Sequence, residues 1–364
     1  MTYYIKPHIL IEKIAVSSIK KFPIGKEVLI ICSKTVGKSH GVNEIFEGLG
    51  SNSRLHVFNH IRPDAPFEDI DLVLEKLKEI KLDSIIAIGG GSTIDAAKAL
   101  SIAFGNTCYK DVFYGKSLIP TEKIKLLAIP TTAGTGAELS FGAILYDKIN
   151  GKKGGIRGEI LQPDYVLIDA NLHNGCPTVL KAEVGFDCLT HAIETYISKK
   201  STALVRIQSV NCIKIIFKHL VPACENNSLE DMEKVAIAST FMGINLAFSS
   251  TCLPHRIQYV IGPMTGTSHA QGLIAIYKGW LKHLRQENIK ALKSLASDLN
   301  LTVDQFIEKV DKLKNELNIN FGITKLGLHE HNINEIANKV SGNMEADPSY
   351  KDTTSINNVL KLAL

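Results

Sequence analysis

The sequence predicts an α/β domain built on a parallel sheet over residues 1–175, followed by an all-helical domain over residues 176–364. Three observations predict it. Short apolar runs of strand length alternate with helical periods in the first half; strand-like runs almost vanish after about residue 176; and two glycine-rich segments directly follow two of the strands. Strands of a parallel sheet read as continuous apolar runs because helices cover both faces.

Glu27–Cys32 (EVLIIC) opens the series of strands. Residues 41–49 have a helical period, Arg54–Phe58 reads as a strand, and residues 70–80 form an amphipathic helix. Residues 84–88 are a buried strand running into GGGSTIDAAKAL, and 125–129 and Tyr165–Ile168 are two more. The second half reads as helices over 179–198, 202–219, 232–248, 272–284, 289–299, 303–317, 333–340 and 355–364. A cleft between two such halves is a common place for a small-molecule site.

The 364 residues suit two domains, and an apolar share of 45% against 21% charged is an ordinary globular balance. A net charge of +4 with scattered Lys and Arg argues against nucleic acid or a membrane surface as partner. The start MTYYIKPHILIEKI has neither an apolar h-region nor a small-residue cleavage site, and no run reaches the ~18 apolar residues of a membrane span. Seven cysteines, odd in number and without a CxxC pair, read as reduced thiols of a cytoplasmic protein.

Three segments carry chemistry. Gly89, Gly90, Gly91 and Ser92 lie between a strand and a helix, where backbone N–H groups and the helix N-terminus suit a phosphate. A tight turn would use the same glycines. Thr131, Thr132 and Thr135 in PTTAGTG follow the next strand, and two such loops at one edge of a parallel sheet are where ligands sit in open α/β sheets. In GFDCLTHAIETY, Asp187 and His191 are four apart on one helical face, and His255 and His269 follow in the helical half. A carboxylate and three imidazoles suit Fe²⁺ or Zn²⁺ as a carbonyl-polarising ion, while an Asp/His pair on a helix is also a common hydrogen-bonded pair. Spacing alone leaves both open. Lys98 and Lys152 read as solvated positions, and Cys188 and Cys252 as small buried residues.

Together these segments resemble the iron-containing (group III) alcohol dehydrogenase family, which shares its fold with dehydroquinate synthase and glycerol dehydrogenase. AIGGGSTIDAAKAL is similar to its cofactor segment, IPTTAGTGAE to its second signature, GFDCLTHAIETY to its metal-binding helix and DPSYKDTTSINNVLKLAL to its usual end. The resemblance implies a Rossmann-like first domain in a dehydroquinate synthase-like fold. It implies Asp187, His191, His255 and His269 as metal ligands, and Gly90, Gly91, Ser92, Asp95, Thr131, Thr132, Thr135 and Lys153 as cofactor contacts. The implied reaction is hydride transfer between NAD(H) or NADP(H) and a small aldehyde or alcohol held on Fe²⁺ or Zn²⁺. Family members commonly form dimers or larger assemblies, which implies a homo-oligomer.

Three departures from the family pattern bear on specificity. Ser33, with Lys34 beside it, stands where many NAD-preferring members carry an Asp, which favours NADP(H) or dual use. Tyr259 stands where some members have a proton-relaying His; its hydroxyl and water are both candidate donors. Arg256 follows His255, and LPHRIQYVIGPMTGTSHAQG resembles the branch that reduces phosphonoacetaldehyde to 2-hydroxyethylphosphonate. That implies Arg256 as the grip on an anionic head, with Thr265, Thr267 and Ser268 adding hydroxyls. The alternatives are a general short-chain alcohol dehydrogenase, a dehydroquinate-synthase-like cyclase (a lyase), and a non-catalytic protein that keeps the fold.

Overall fold

The structure, a computed structural model, describes residues 6–12, 19, 21–38, 49 and 53–364. The helix expected over 41–49 lies outside the described residues but for Leu49. Two compact units divide the chain, Met1–Cys176 and Pro177–Leu364.

The first unit carries six parallel strands in the order β1-β8-β5-β4-β2-β3: His8–Ile11 (β1), Glu27–Cys32 (β2), Arg54–Phe58 (β3), Ser84–Gly89 (β4), Lys125–Pro130 (β5) and Tyr165–Ile168 (β8). Gly142–Asp147 (β6) and Lys152–Arg157 (β7) form a separate antiparallel hairpin that the sequence reading missed, as it missed β1. Alternate residues of the central strands feed two cores. Leu29, Ile31, Ile85 and Ala87 pack on one side, and Val28, Ile30, Ile86 and Ile88 on the other. The chain winds outward from β2 to β3 and then crosses back to β4 and β5. The order therefore reverses between β2 and β4, the switch point at which open α/β sheets bind ligands.

Among the described residues this unit also carries helices Phe67–Leu77 (α1), Gly91–Ala103 (α2), Tyr109–Phe113 (α3) and Ala170–Asn174 (α4). Lys98, expected in solvent, is fully buried. Its ammonium donates to the Ser140 carbonyl (3.0 Å) and hydroxyl (3.1 Å) and to the Gly142 carbonyl (2.6 Å), and lies 3.9 Å from Asp95. The reason is that α2 packs against the sheet and also against β6, so it keeps no solvated face. Lys152 is exposed, with its ammonium over the rings of Phe113 and Tyr114.

The second unit is helical: Thr178–Ile197 (α5), Ala203–Glu225 (α6), Leu229–Phe248 (α7), Leu253–Thr265 (α8), His269–Gln286 (α9), Lys290–Asp298 (α10), Val303–Glu316 (α11), Ile333–Lys339 (α12) and Thr353–Lys361 (α13). Side-chain caps start several of them, and Ser268 with Gln271 forms a full capping box on α9. α8 was not expected. Its segment holds Pro254 and Pro263, but the first sits in the opening turn, where proline is tolerated, and the second in the last turn. Among the described residues no single helix is long and apolar enough to cross a membrane.

Candidate metal centre and cofactor loops

In the first unit the two glycine-rich loops interlock. A Cβ on Gly90 would lie 2.9 Å from Thr132 Oγ1, and one on Gly91 would lie 2.9 Å from Thr135 Oγ1 and Cγ2. A Cβ on Gly89 would come within 2.5 Å of Thr93 Oγ1. The glycines are therefore needed for side-chain clearance between the ends of β4 and β5. Thr131 joins the strands through its N–H to the Gly89 carbonyl (3.0 Å). Gly90, the residue before α2, supplies no side-chain cap, so the first N–H groups of the helix keep the character of an anion site.

Ser92 accepts the Asp64 N–H (2.9 Å), and the Asp64 carboxylate holds Lys153 Nζ at 2.6 Å. Asp64 and Ala65 both have positive φ (67° and 47°), a strained turn held at this point by Ser92 and Lys153. Asp95 accepts the Ile144 N–H (2.9 Å) and so ties α2 to the hairpin that carries Lys153. Burial pushes its carboxyl up to about 6, against the pull of Lys98, and burial lowers Lys98 to about 8. Ser33 lies at the end of β2, where its hydroxyl accepts the Val36 N–H (3.3 Å); Lys34 beside it is exposed.

In the second unit Asp187, His191 and His255 converge, all buried, with one ligand atom from each within 4.8 Å of the others. The Nε2 atoms of His191 and His255 are 2.9 Å apart, and Asp187 Oδ1 is 3.7 Å from each. Helix α5 presents Asp187 and His191 one turn apart; α8 brings His255. His269, the first residue of α9, has its ring centroid 5.2 Å from that of His255. Gln258 Oε1 lies 2.6 Å from its Nδ1; an Nδ1–H donating to that oxygen would leave the ring's lone pair on Nε2.

The donor set fits a divalent first-row metal. Bonds to imidazole nitrogen run about 2.0–2.1 Å, so two nitrogens 2.9 Å apart can share one ion, and a carboxylate oxygen balances part of its charge.

Two side chains in contact with the candidate ligands escaped sequence reasoning. Glu194, fully buried, lies 2.8 and 2.9 Å from His255 Nδ1, and Gln258 holds His269. Burial pushes the Glu194 carboxyl up to about 8, and a cation at the site would act in the opposite sense. Glu194 follows Asp187 and His191 at the next turn of the same face, a spacing that the sequence does carry. Gln258 is one turn after His255 and would have been legible had α8 been recognised.

Arg256 is buried. One of its amino groups donates to Thr251 Oγ1 (2.7 Å), and its Nε has no hydrogen-bond partner among the described residues. Among the described residues no carboxylate pairs with it. Its guanidinium lies 5.5 Å above the Tyr259 ring, which stacks on His269 with centroids 6.1 Å apart. Thr265 and Thr267 share a hydrogen bond (2.7 Å). The Ser268 hydroxyl accepts the Gln271 N–H and lies 3.5 Å from Glu183, so it is engaged as the cap of α9.

A parallel-sheet unit with glycine-rich loops at the ends of β4 and β5, and a helical unit holding a buried Asp/His/His cluster, define the class of fold. The chain belongs to the iron-containing alcohol dehydrogenase family. Residues 7–170 match the iron-containing alcohol dehydrogenase profile, and residues 181–364 match the Fe-containing alcohol dehydrogenase family C-terminal profile. An aldehyde-alcohol dehydrogenase of Streptococcus pneumoniae is 31% identical over 59% of this chain, which spans 26% of that longer protein. The 1-propanol dehydrogenase PduQ of Citrobacter freundii is 27% identical over 65% of this chain and 61% of its own length. The NAD-dependent methanol dehydrogenase of Bacillus methanolicus is 25% identical over 85% and 84% of the two chains. A solved 1,3-propanediol oxidoreductase shares the fold with a TM-score of 0.91 at 21% identity, covering 100% of this chain and 99% of its own.

Proposed function

We propose that the chain is a metal-dependent, NAD(P)(H)-linked alcohol dehydrogenase that reduces a small aldehyde or oxidises the matching alcohol. The observation that carries this is the convergence of Asp187, His191 and His255 in a chain of this family. His269 completes the proposed ligand set for Fe²⁺ or Zn²⁺. When bound, such an ion draws electron density from the substrate oxygen and makes the carbonyl carbon a better hydride acceptor. The chain's own residues orient the reactants. Gly90, Gly91 and Ser92 at the start of α2 are proposed to hold the cofactor's pyrophosphate, and Thr131, Thr132 and Thr135 its neighbouring groups, with Lys153 at the ribose and Asp95 holding the hairpin behind it. The two electrons and hydrogen come from the reduced nicotinamide; the substrate oxygen still needs a proton. Tyr259, stacked on His269, is the side chain proposed to relay it.

Ser33 and Lys34 place no acidic side chain at the end of β2, which supports use of NADP(H) as well as NAD(H). The buried Arg256, whose Nε has no hydrogen-bond partner and which has no carboxylate within 4 Å among the described residues, supports an aldehyde carrying an anionic head such as a phosphonate. Arg256 carries that reading, and Thr267 and Ser268 add little, since both hydroxyls lie within reach of neighbouring side chains. A homo-oligomer is proposed on family resemblance alone.

The test is loss of NADPH and NADH absorbance by protein loaded with Fe²⁺ or Zn²⁺, with phosphonoacetaldehyde and propanal as substrates. Oxidation that depends on metal and aldehyde is expected. No oxidation with either cofactor and bound metal would sink the dehydrogenase reading, and equal rates with the two aldehydes would discard the anionic substrate.

A further inference from the structure

We infer that Glu194 is a positioning residue of the metal centre: its carboxylate fixes the tautomer and ring plane of His255 and ties that ring to the start of its own helix. The inference rests on the reading of Asp187, His191 and His255 as metal ligands.

Glu194 lies on α5, one turn beyond His191, and is fully buried. Its two oxygens lie 2.8 and 2.9 Å from His255 Nδ1, and Oε2 also accepts the Cys252 N–H at 2.7 Å. Cys252 precedes α8 and supplies no side-chain cap. The first N–H groups of a helix need outside acceptors, and here they come from other parts of the chain. Glu194 takes the Cys252 N–H, and the buried Asp347 takes the Leu253 N–H at 3.0 Å while also accepting from Trp280 Nε1 at 2.8 Å. One carboxylate thus grips both the backbone at the helix start and the imidazole two residues into it.

The chemistry follows from what a carboxylate can do. With a cation bound beside it Glu194 is held as a carboxylate, which only accepts hydrogen bonds, so the proton between it and His255 belongs to Nδ1. The lone pair then lies on Nε2, the atom 2.9 Å from His191 Nε2 and 3.7 Å from Asp187 Oδ1. An amide at position 194 would lack this compulsion. Turned one way it accepts from Nδ1–H; turned the other it donates to Nδ1 and favours the tautomer with a proton on Nε2, which cannot ligate. A carboxylate behind an imidazole also strengthens that imidazole as a ligand, and loss of such a partner typically weakens metal binding about 10- to 100-fold.

Two measurements test this. In the Zn²⁺-loaded wild type, ¹⁵N NMR of the imidazoles is expected to report His255 with its proton on Nδ1 and the ion on Nε2; ligation through Nδ1 would overturn the inference without any variant. In the second, Co²⁺ is titrated into wild type and Glu194→Gln against a competing chelating dye, with visible absorption and apo-protein urea unfolding recorded. The expected result is Co²⁺ affinity lower by about 10- to 100-fold and displaced d–d bands, with the apo variant still cooperatively folded. A role confined to helix capping predicts a lower urea midpoint with affinity and bands unchanged, and that outcome overturns the positioning role. Failure of the wild type to bind Co²⁺ would overturn the ligand reading itself, and this inference with it.

Discussion

The Nε2 atoms of His191 and His255 lie 2.9 Å apart in a buried site, with Asp187 Oδ1 3.7 Å from both. Two imidazoles and a carboxylate gathered out of water gain most when an ion joins them, so metal binding should couple to stability. Removing the metal with a chelator is expected to lower the thermal midpoint, and restoring Fe²⁺ or Zn²⁺ to raise it. A ligand at a thousand times its dissociation constant contributes about 4 kcal/mol. His269→Ala should abolish the metal-dependent part and the activity while the apo protein keeps its midpoint. Full activity in that variant would remove His269 from the ligand set.

Gly91 faces Thr135 so closely that a methyl group would overlap it. Gly91→Ala is expected to destabilise the first unit by about 1–3 kcal/mol, as overpacking does, and to raise KM for NADPH. Thr135→Ala on top of it removes the colliding atoms. The double variant should regain stability in urea unfolding without regaining cofactor affinity. Recovery of both would mean that Thr135 only packs the loop.

Arg256 holds Thr251 with one amino group, and its Nε has no partner among the described residues. Arg256→Ala should raise KM for phosphonoacetaldehyde roughly 10- to 100-fold, the equivalent of a charged hydrogen bond of ~1.5–3 kcal/mol. The KM for propanal should change much less. Steady-state kinetics on both aldehydes decide it, and equal effects would assign Arg256 to packing.

Lys314 on α11 is buried with its ammonium on the Ile274 carbonyl at 3.0 Å, and burial lowers it to about 8 from 10.5, with Asp311 pulling the other way and Lys278 adding to the shift. Its folded value lies below its unfolded one, so between about 8 and 10.5 the unfolded chain binds more protons. Its contribution therefore rises with pH across that window and is lost as pH falls through about 8. Lys314→Met should flatten this part of the profile and raise stability at pH 7. Urea midpoints at pH 7 and 9.5 test it, and an unchanged slope would refute it.

Much of the fold was legible because local chemistry repeats along the chain. Continuous apolar runs such as EVLIIC can only be strands buried on both faces, and helical periods dominate after residue 176. What escaped was contextual. α8 hid behind two prolines whose positions are harmless at helix ends, and the β6–β7 hairpin contains KKGGIR, whose glycines and lysines carry no strand signal. Lys98 looked solvated because a lysine is read by its own charge. Its burial depends on carbonyls of residues 140 and 142 more than forty positions away.

The sequence by itself determined the two-domain α/β and helical plan, the loop after each of two neighbouring strands, and the Asp187–His191 pair on one helical face. Periodicity and glycine placement are local, so they survive without a folded chain. Only the tertiary structure decided that Gly90 and Gly91 meet Thr132 and Thr135. It also brought His255 from another helix to His191, set Glu194 behind it, and buried Arg256. Those relationships join residues tens of positions apart, and whether two such side chains meet is decided by helix packing and burial rather than by spacing along the chain.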